Sequence, residues 1–310
     1  MSLAKFGFLE SLNLLESTLE APIVQDLAPK WKVHNGRARV VRNGIAVVSF
    51  SVLEEFIKAR LGEILVDISA SGIPFSDLPD DLQEAVTYGA IASIAYASKQ
   101  IDKSGKSHIT YVQKEAASIA STQSFPYEMS AKAIGWDKAN LAKDDVKGFM
   151  EKFKISGGWQ TLREISVKVN HTLPNPSESF TNAARRRHRA AHSPNTSTPF
   201  SDLVSFLTEA RVIGFAYDCM LTHAKRLIEK HDTEYMKKNT TIDQSSVVFR
   251  FVEQRGKAWC ECKLPGGGVV RKSGTRKMAT TRAKPRVSKN KEILVIVNSA
   301  GRIVDWQVTY

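Results

Sequence analysis

Cysteine is scarce in this chain, and its scarcity excludes two common kinds of stabilisation. Only Cys219, Cys260 and Cys262 occur among 310 residues. The last two are spaced Cys-x-Cys with no second Cys/His pair at zinc-ligand spacing nearby, which argues against a structural disulfide or zinc site. If Cys260 and Cys262 lie on a strand, they face the same side of a sheet as two small apolar side chains.

Long apolar runs are also missing. No stretch of about 18 consecutive apolar residues occurs, so the sequence predicts no transmembrane helix. The first 20 residues alternate apolar with charged positions and lack the basic start and unbroken apolar centre of a signal peptide. We therefore expect a cytoplasmic protein with no membrane partner.

Acidic residues are few at the C-terminal end, and positive charge accumulates there. The chain has 44 Lys+Arg against 32 Asp+Glu, a net charge of +12. Residues 241–310 hold 14 basic and 5 acidic residues, so 14 − 5 = +9 of that charge lies in this segment. Such a field attracts polyanions through phosphate contacts, or it is a surface that only keeps the protein in solution.

Apolar periodicity predicts helices over most of the chain. Steps of three to five residues dominate up to about residue 235, and the stripe between residues 39 and 69 is nearly continuous, as expected for a central helix. The predicted helices cover an N-terminal segment through Leu19 and residues 39–69, 78–99, 108–121, 144–153, 159–170, 175–192 and 199–230.

After about residue 241 the period falls to 2, which predicts strands. Four are expected, at residues 247–251, 259–263, 292–298 and 302–308. Pro265 with Gly266–Gly268 fits a hairpin connection, and Ala300-Gly301 fits a tight turn between the last two strands. The fold class is therefore mainly α with a small basic β domain, divided as 1–37 (N-terminal helix and loop), 38–235 (helical domain) and 241–310 (β domain).

The segment between Arg271 and Lys291 holds nine Lys or Arg, no acidic residue and almost no large apolar side chain except Met278 and Val287. It is predicted to bury no core, being either a mobile basic arm that orders on RNA or a solvated loop. Its predicted RNA-binding residues are Arg271, Lys272, Arg276, Lys277, Arg282, Lys284 and Arg286.

The most informative segment is residues 185–194, Arg-Arg-Arg-His-Arg-Ala-Ala-His-Ser-Pro. It ends a helix that should begin at Asn175-Pro176-Ser177-Glu178, a cap followed by proline and an acid, and that Pro194 should terminate. Cleaving RNA without a metal needs a group that moves protons near neutral pH and fixed positive charge beside the phosphate. Histidine and arginine supply these.

Helical geometry divides these groups between two faces. His188 and His192 are four residues apart and face the same way, whereas Arg187 and His192 are five apart and about 140° round the axis. One helix therefore offers a split site. Two copies meeting across a twofold axis could bring both Arg187 and both His192 side chains around one phosphate, so we expect a homodimer.

The motif resembles that of the HEPN superfamily, with Arg187, the polar His188, three residues and then His192 near a helix end. The context is similar to the large prokaryotic RiboL-PSP type, whose core is Arg-Arg-(Asn/His)-x-Ile-Ala-His, although Ala190 stands where a branched apolar residue is usual. The early helix segment 48–58, ending Leu-Glu-Glu-Phe-Ile-Lys, and the later segment 200–220 are also similar. The likeness covers residues 38–230.

That resemblance implies a HEPN-type helical bundle that dimerises through the motif helices. It implies a metal-independent endoribonuclease without cofactors, leaving a 2′,3′-cyclic phosphate and a 5′-hydroxyl, and acting as a toxin or phage-defence effector, with an antitoxin or defence partner possible. By position, His192 would be the general acid or base, Arg187 the phosphate-stabilising cation and His188 the polar orienter. Arg185, Arg186 and Arg189 are expected to contact the RNA backbone.

Three alternatives stay open from the sequence. The cations and imidazoles can be a solvated basic face near a helix C-terminus. The chain can be a non-catalytic dimer that holds RNA or a partner protein. Finally, the β tail can target the chain to duplex DNA, on which a 2′-hydroxyl mechanism cannot operate.

Overall fold

The computed structural model describes residues 2–101, 107–193, 195–237 and 240–308. These residues form ten α-helices, of which the first eight match the predicted segments in order. The helices are α1 (Leu3–Leu19), α2 (Lys32–Ser69), α3 (Asp80–Gln100), α4 (Ser107–Ser121), α5 (Lys143–Lys152), α6 (Trp159–Lys168), α7 (Pro176–His192), α8 (Phe200–Glu229), α9 (Thr233–Lys237) and α10 (Arg276–Lys289).

Helix α2 forms the centre of the bundle, as its continuous apolar stripe predicts. It begins seven residues before the predicted start and packs against α1, α7 and α8. Phe8 of α1 stacks on Phe56 of α2 with ring centroids 4.2 Å apart. Gly214 of α8 permits this approach, because a Cβ there would lie 2.6 Å from the Phe8 ring. The apolar faces of α1, α2 and α8 are thereby buried against one another.

The C-terminal part is a five-stranded mixed sheet in the order β3-β2-β1-β4-β5. Strands β1 and β4 are parallel, and the other neighbouring pairs are antiparallel. The predicted hairpin at Pro265–Gly268 joins β2 to β3, and the predicted turn at Ala300-Gly301 joins β4 to β5. The strands are β1 (Phe249–Arg255), β2 (Ala258–Cys262), β3 (Val269–Ser273), β4 (Ile293–Val297) and β5 (Ile303–Val308).

The two faces of the sheet are buried against different partners. In β4, Ile293 and Val295 point into the core shared with the helical bundle, whereas Leu294 and Ile296 point toward α10. Cys260 and Cys262 lie on the bundle side, both buried, as the strand reading predicted. Because successive side chains alternate, one strand supplies apolar surface to two layers.

The prediction of a loop or mobile arm between Arg271 and Lys291 is wrong. The segment forms the edge strand β3 and helix α10, which begins at a Thr275 cap whose Oγ1 accepts the Met278 N–H. Ala279, Ala283 and Val287 of α10 are buried against the sheet. The segment looked unable to bury a core because its own apolar side chains are small, while the sheet supplies most of the apolar surface.

Within the described ranges, no helix is both long and apolar enough to cross a lipid bilayer.

Candidate functional site

The motif helix α7 begins where its cap predicts. The Asn175 side chain accepts the Glu178 backbone N–H at 3.2 Å, and Pro176 occupies the first helical position. The helix ends at His192, and the Ser193 N–H donates to the Arg189 carbonyl at 2.9 Å. Pro194, the predicted terminator, lies outside the described residues.

The first half of α7 anchors the helix and the second half carries the charge. Phe180 is fully buried, with its ring 5.1 Å from Phe50 of α2 and 5.5 Å from Trp159 of α6. From Arg185 onward the exposed side chains are Arg185, His188, Arg189, Ala191 and His192. The buried aromatic contacts thus fix the direction in which the basic end of the helix projects.

His188 and His192 lie side by side on that exposed end. Their ring centroids are 4.6 Å apart with an angle of 49° between the planes, so both imidazoles face the same way, as their four-residue spacing predicts. Both side chains are exposed. Two imidazole groups are therefore in contact with solvent at the same place on the helix.

Arg187 lies on the other side of the helix, half-buried toward α2. Its Nε is buried without a hydrogen-bond partner. The nearby Glu54 of α2 is 6% exposed. Burial raises the pKa of the Glu54 carboxyl, while the hydrogen bond donated by the Leu141 N–H and the charges of Lys58 and Arg187 act to lower it. Arg187 is thus held in the field of a buried carboxylate that the sequence reading did not assign to the site.

The sequence position of Glu54 is unusual for a charged residue. It lies beside Leu53 within the apolar stripe of α2, where a carboxylate is costly unless it has partners. Its oxygen accepts the Leu141 N–H at 2.5 Å, and Lys58, one turn later, donates to the Lys138 carbonyl at 3.2 Å. A Glu and a Lys four residues apart on the buried side of α2 therefore indicate a structured polar site rather than solvent exposure.

The predicted backbone contact Arg186 has partners within the chain. Its guanidinium lies 5.7 Å from the centre of the Phe206 ring and 3.5 Å from the Asp202 carboxylate, both on α8. Burial lowers the pKa of Arg186, and the charges of Asp202 and Glu209 oppose that shift. Arg186 therefore joins α7 to α8, whereas Arg185 and Arg189 remain exposed.

A groove of about 900 Å³ runs beside α7. Arg185, His188 and Arg189 line it from α7, and Lys143 and Asp144 line it from the start of α5. Arg187 and His192 are not among its lining residues. One chain thus brings His188 together with Arg185 and Arg189 in the groove, while Arg187 and His192 both lie outside its lining.

The cations predicted to bind RNA in the basic tail differ in their exposure and in their pairing with carboxylates. Six are exposed, namely Arg271, Lys272, Arg276, Lys277, Arg282 and Lys284. Arg286 donates through Nε to the buried Glu261 at 2.8 Å and again through its terminal nitrogen. That pairing leaves Arg286 little freedom to bind a ligand.

Metal-ligating side chains do not cluster in the part of the chain described: no group of three or more His, Cys, Asp or Glu is arranged to hold a metal ion.

Comparison with known proteins identifies no relative: no protein-family model matches the chain, and neither the curated proteins nor the solved structures contain a significant match. The HEPN resemblance therefore stays a prediction that rests on the motif residues and their geometry.

Proposed function

We propose that this chain is a metal-independent endoribonuclease of the HEPN type that acts as a homodimer. The observation that carries the proposal is the exposed His188–His192 pair, 4.6 Å apart at the end of a firmly anchored helix, with arginines on both sides. Exposed imidazoles beside fixed positive charge are what phosphodiester cleavage through the 2′-hydroxyl requires.

In the proposed reaction, one His192 imidazole takes the proton from the ribose 2′-hydroxyl. The 2′-oxygen then forms a bond to phosphorus, the bond from phosphorus to the 5′-oxygen breaks, and that oxygen takes a proton from the imidazolium of the second His192. The products are a 2′,3′-cyclic phosphate and a 5′-hydroxyl. Arg187 stabilises the negative charge that develops on the phosphate oxygens, and His188 orients His192.

The buried surroundings of Arg187 support its role as a fixed cation. A guanidinium that is half-buried and lies in the field of Glu54 loses little conformational freedom when phosphate binds. Because Arg187 and His192 lie about 140° apart round the helix, the pair converges only when a second α7 supplies the missing group. A dimer through α7 follows from this split.

The test is cleavage of labelled RNA in EDTA by wild type, Arg187→Ala and His192→Ala, with dimerisation measured by light scattering. Wild type should cut, and each variant alone should lose at least about 100-fold in rate. His231→Ala is the control, since His231 pairs with Asp77 away from the motif. Mixing the two inactive variants should not restore activity, because a mixed dimer contributes only one of the two His192 imidazoles that the proposed reaction uses.

A second candidate is an RNA-binding or partner-binding dimer that cuts nothing, favoured by the exposed cations of α10. RNA binding with no cleavage by wild type, over several RNAs and pH values, would establish that reading and remove the nuclease.

Growth arrest on expression in bacteria, relieved by His192→Ala, is the expected result for a toxin or phage-defence effector. An antitoxin, if one exists, would be found as a protein that relieves the arrest.

A further inference from the structure

The exposed side of α10 carries two rows of cations separated by an uncharged crest. Lys277 and Lys284 are seven residues apart and form one row, about 10 Å long. Arg282 and Lys289 are also seven apart and form the other row, about 140° round the axis from the first. All four side chains are exposed.

The crest between the rows carries no charge and combines small polar with apolar side chains. Thr281, Pro285 and Ser288 are exposed along it, together with Met278 at its start. Proline has no backbone N–H, so the Thr281 carbonyl lacks the hydrogen bond that residue 285 would otherwise donate within the helix. The crest therefore presents two hydroxyl groups, and a carbonyl without its usual donor at residue 285, between two lines of positive charge.

The neighbouring edge strand extends this surface by one cation. Arg271 of β3 lies opposite Glu261 of β2 in the strand register, and Glu261 faces α10. Arg271 is therefore on the face covered by α10, while Lys272 lies on the opposite face. Arg276 is engaged with Asp305 at 3.1 Å, and Arg286 with Glu261. The α10 surface is therefore defined by Arg271, Lys277, Arg282, Lys284 and Lys289.

This surface lacks the groups that bind single strands. Recognition of unpaired bases depends on aromatic side chains on which the bases stack, yet neither β3 nor α10 contains a Phe, Trp or Tyr. Trp259 of β2, the aromatic nearest in register, is packed against the core between the sheet and α10. The α10 surface therefore offers contacts to phosphates and hydroxyl groups, and neither of its two elements offers an aromatic ring on which a base can stack.

We propose that the α10 surface binds the backbone of duplex RNA. The A-form minor groove is wide and shallow and displays 2′-hydroxyl groups between two lines of phosphates. The crest of α10 would face the 2′-hydroxyls, and the two cation rows would reach the phosphates of the two strands. The choice of RNA over DNA rests on the proposed function and on the hydroxyl-bonding groups of the crest.

The α10 surface is separate from the motif. Helix α8 contacts the motif through Phe206 and the sheet through Phe215, nine residues apart, which is about 14 Å along the helix axis. Helix α10 lies beyond the sheet, on its other face. Loss of the α10 cations should therefore weaken the binding of structured RNA and leave the turnover rate unchanged, raising KM with constant kcat.

The experiment measures binding by fluorescence anisotropy to a 20-base-pair RNA duplex, to one of its strands and to the same sequence as duplex DNA. All proteins carry His192→Ala so that the RNA stays intact. Duplex RNA should bind at least about fivefold more tightly than either other probe. Lys277→Ala/Lys284→Ala should weaken duplex binding about tenfold and reduce the slope of log K against log salt by about 2.

The matched control is Lys99→Ala/Lys114→Ala, which removes two exposed lysines from α3 and α4 and should leave binding unchanged. Thr281→Val/Ser288→Ala should reduce the preference for RNA over DNA and keep the salt slope. Equal or tighter binding of the single strand or of duplex DNA would overturn the proposal, as would a Lys277/Lys284 variant that binds like the control. Duplex binding by a chain that never cleaves RNA would refute the nuclease and leave this surface standing.

Discussion

Asp218 offers the most direct test of how the sheet is held to the bundle. This residue of α8 is 3% exposed and accepts three donors: Arg60 Nε at 2.5 Å, Trp306 Nε1 at 2.6 Å and the Thr222 hydroxyl at 2.9 Å. Burial acts to lower the pKa of Arg60, but the charge and hydrogen bond of Asp218, with Glu63 and Asp67, raise it overall. One carboxylate therefore joins α2, α8 and β5.

Asp218→Asn keeps the shape of the side chain and removes its charge. The new amide nitrogen must face either Trp306 or Arg60, so two donors oppose each other, and the guanidinium loses its closest counter-charge. Breaking a buried pair costs about 3–5 kcal/mol. Glu63, 3.0 Å from Arg60, retains part of the compensation, so we expect about 3 kcal/mol.

The assay is urea unfolding followed by circular dichroism and tryptophan fluorescence. Asp202→Asn is the matched control, because Asp202 is 42% exposed and 3.5 Å from Arg186, and it should cost less than about 1 kcal/mol. The core cluster runs without interruption from the helices into the sheet, so both probes should report one transition. A loss for Asp218→Asn within about 1 kcal/mol of the control would refute the reasoning.

Three further outcomes are expected. Burial raises the pKa of Glu54 above its ordinary value of 4.5, so the folded state holds this proton to a higher pH than the unfolded state does. The free energy of unfolding should therefore fall as pH rises from 4.5 through the raised pKa. Glu54→Gln should lack that fall in urea titrations over the same pH range. Gly62→Ala would place a Cβ 2.5 Å from a backbone carbonyl and should cost about 1–3 kcal/mol, whereas Gly44→Ala in the same helix meets nothing within 4 Å and should stabilise by up to about 1 kcal/mol, both read from urea midpoints. Arg286→Ala removes a partner of a buried carboxylate and should lower the unfolding free energy by about 1–2 kcal/mol, while Lys284→Ala should change it by less than about 0.5 kcal/mol.

The helical part of the fold was predictable because its signals are local. The apolar stripes of α2 and α8 repeat every three to four residues over many turns, and the Asn175 cap lies directly before the helix it begins. The pairing of His188 with His192 follows from the same helical repeat. Such features depend on neighbours a few residues away, and the sequence displays those neighbours.

Strand β3 and helix α10 were missed for the opposite reason. All of β3 except Ser273 is exposed, so it has no burial pattern of its own and becomes a strand by pairing with β2. The buried face of α10 is made of Ala279, Thr280, Ala283 and Val287, and most of the apolar surface that holds it belongs to the sheet. A segment with little apolar surface is ordered when a distant part of the chain supplies that surface.

By itself, the sequence determined the order of the first eight helices, the capped motif helix, the shared face of the two imidazoles and the positive charge of the tail. The tertiary structure alone decided which cations stay free. Arg186 is paired across to α8, Arg286 is held by Glu261 from 25 residues away, and Arg187 lies in the field of Glu54 from α2. Charge is a property of each residue, but its availability depends on which carboxylates the packing brings within a few ångströms.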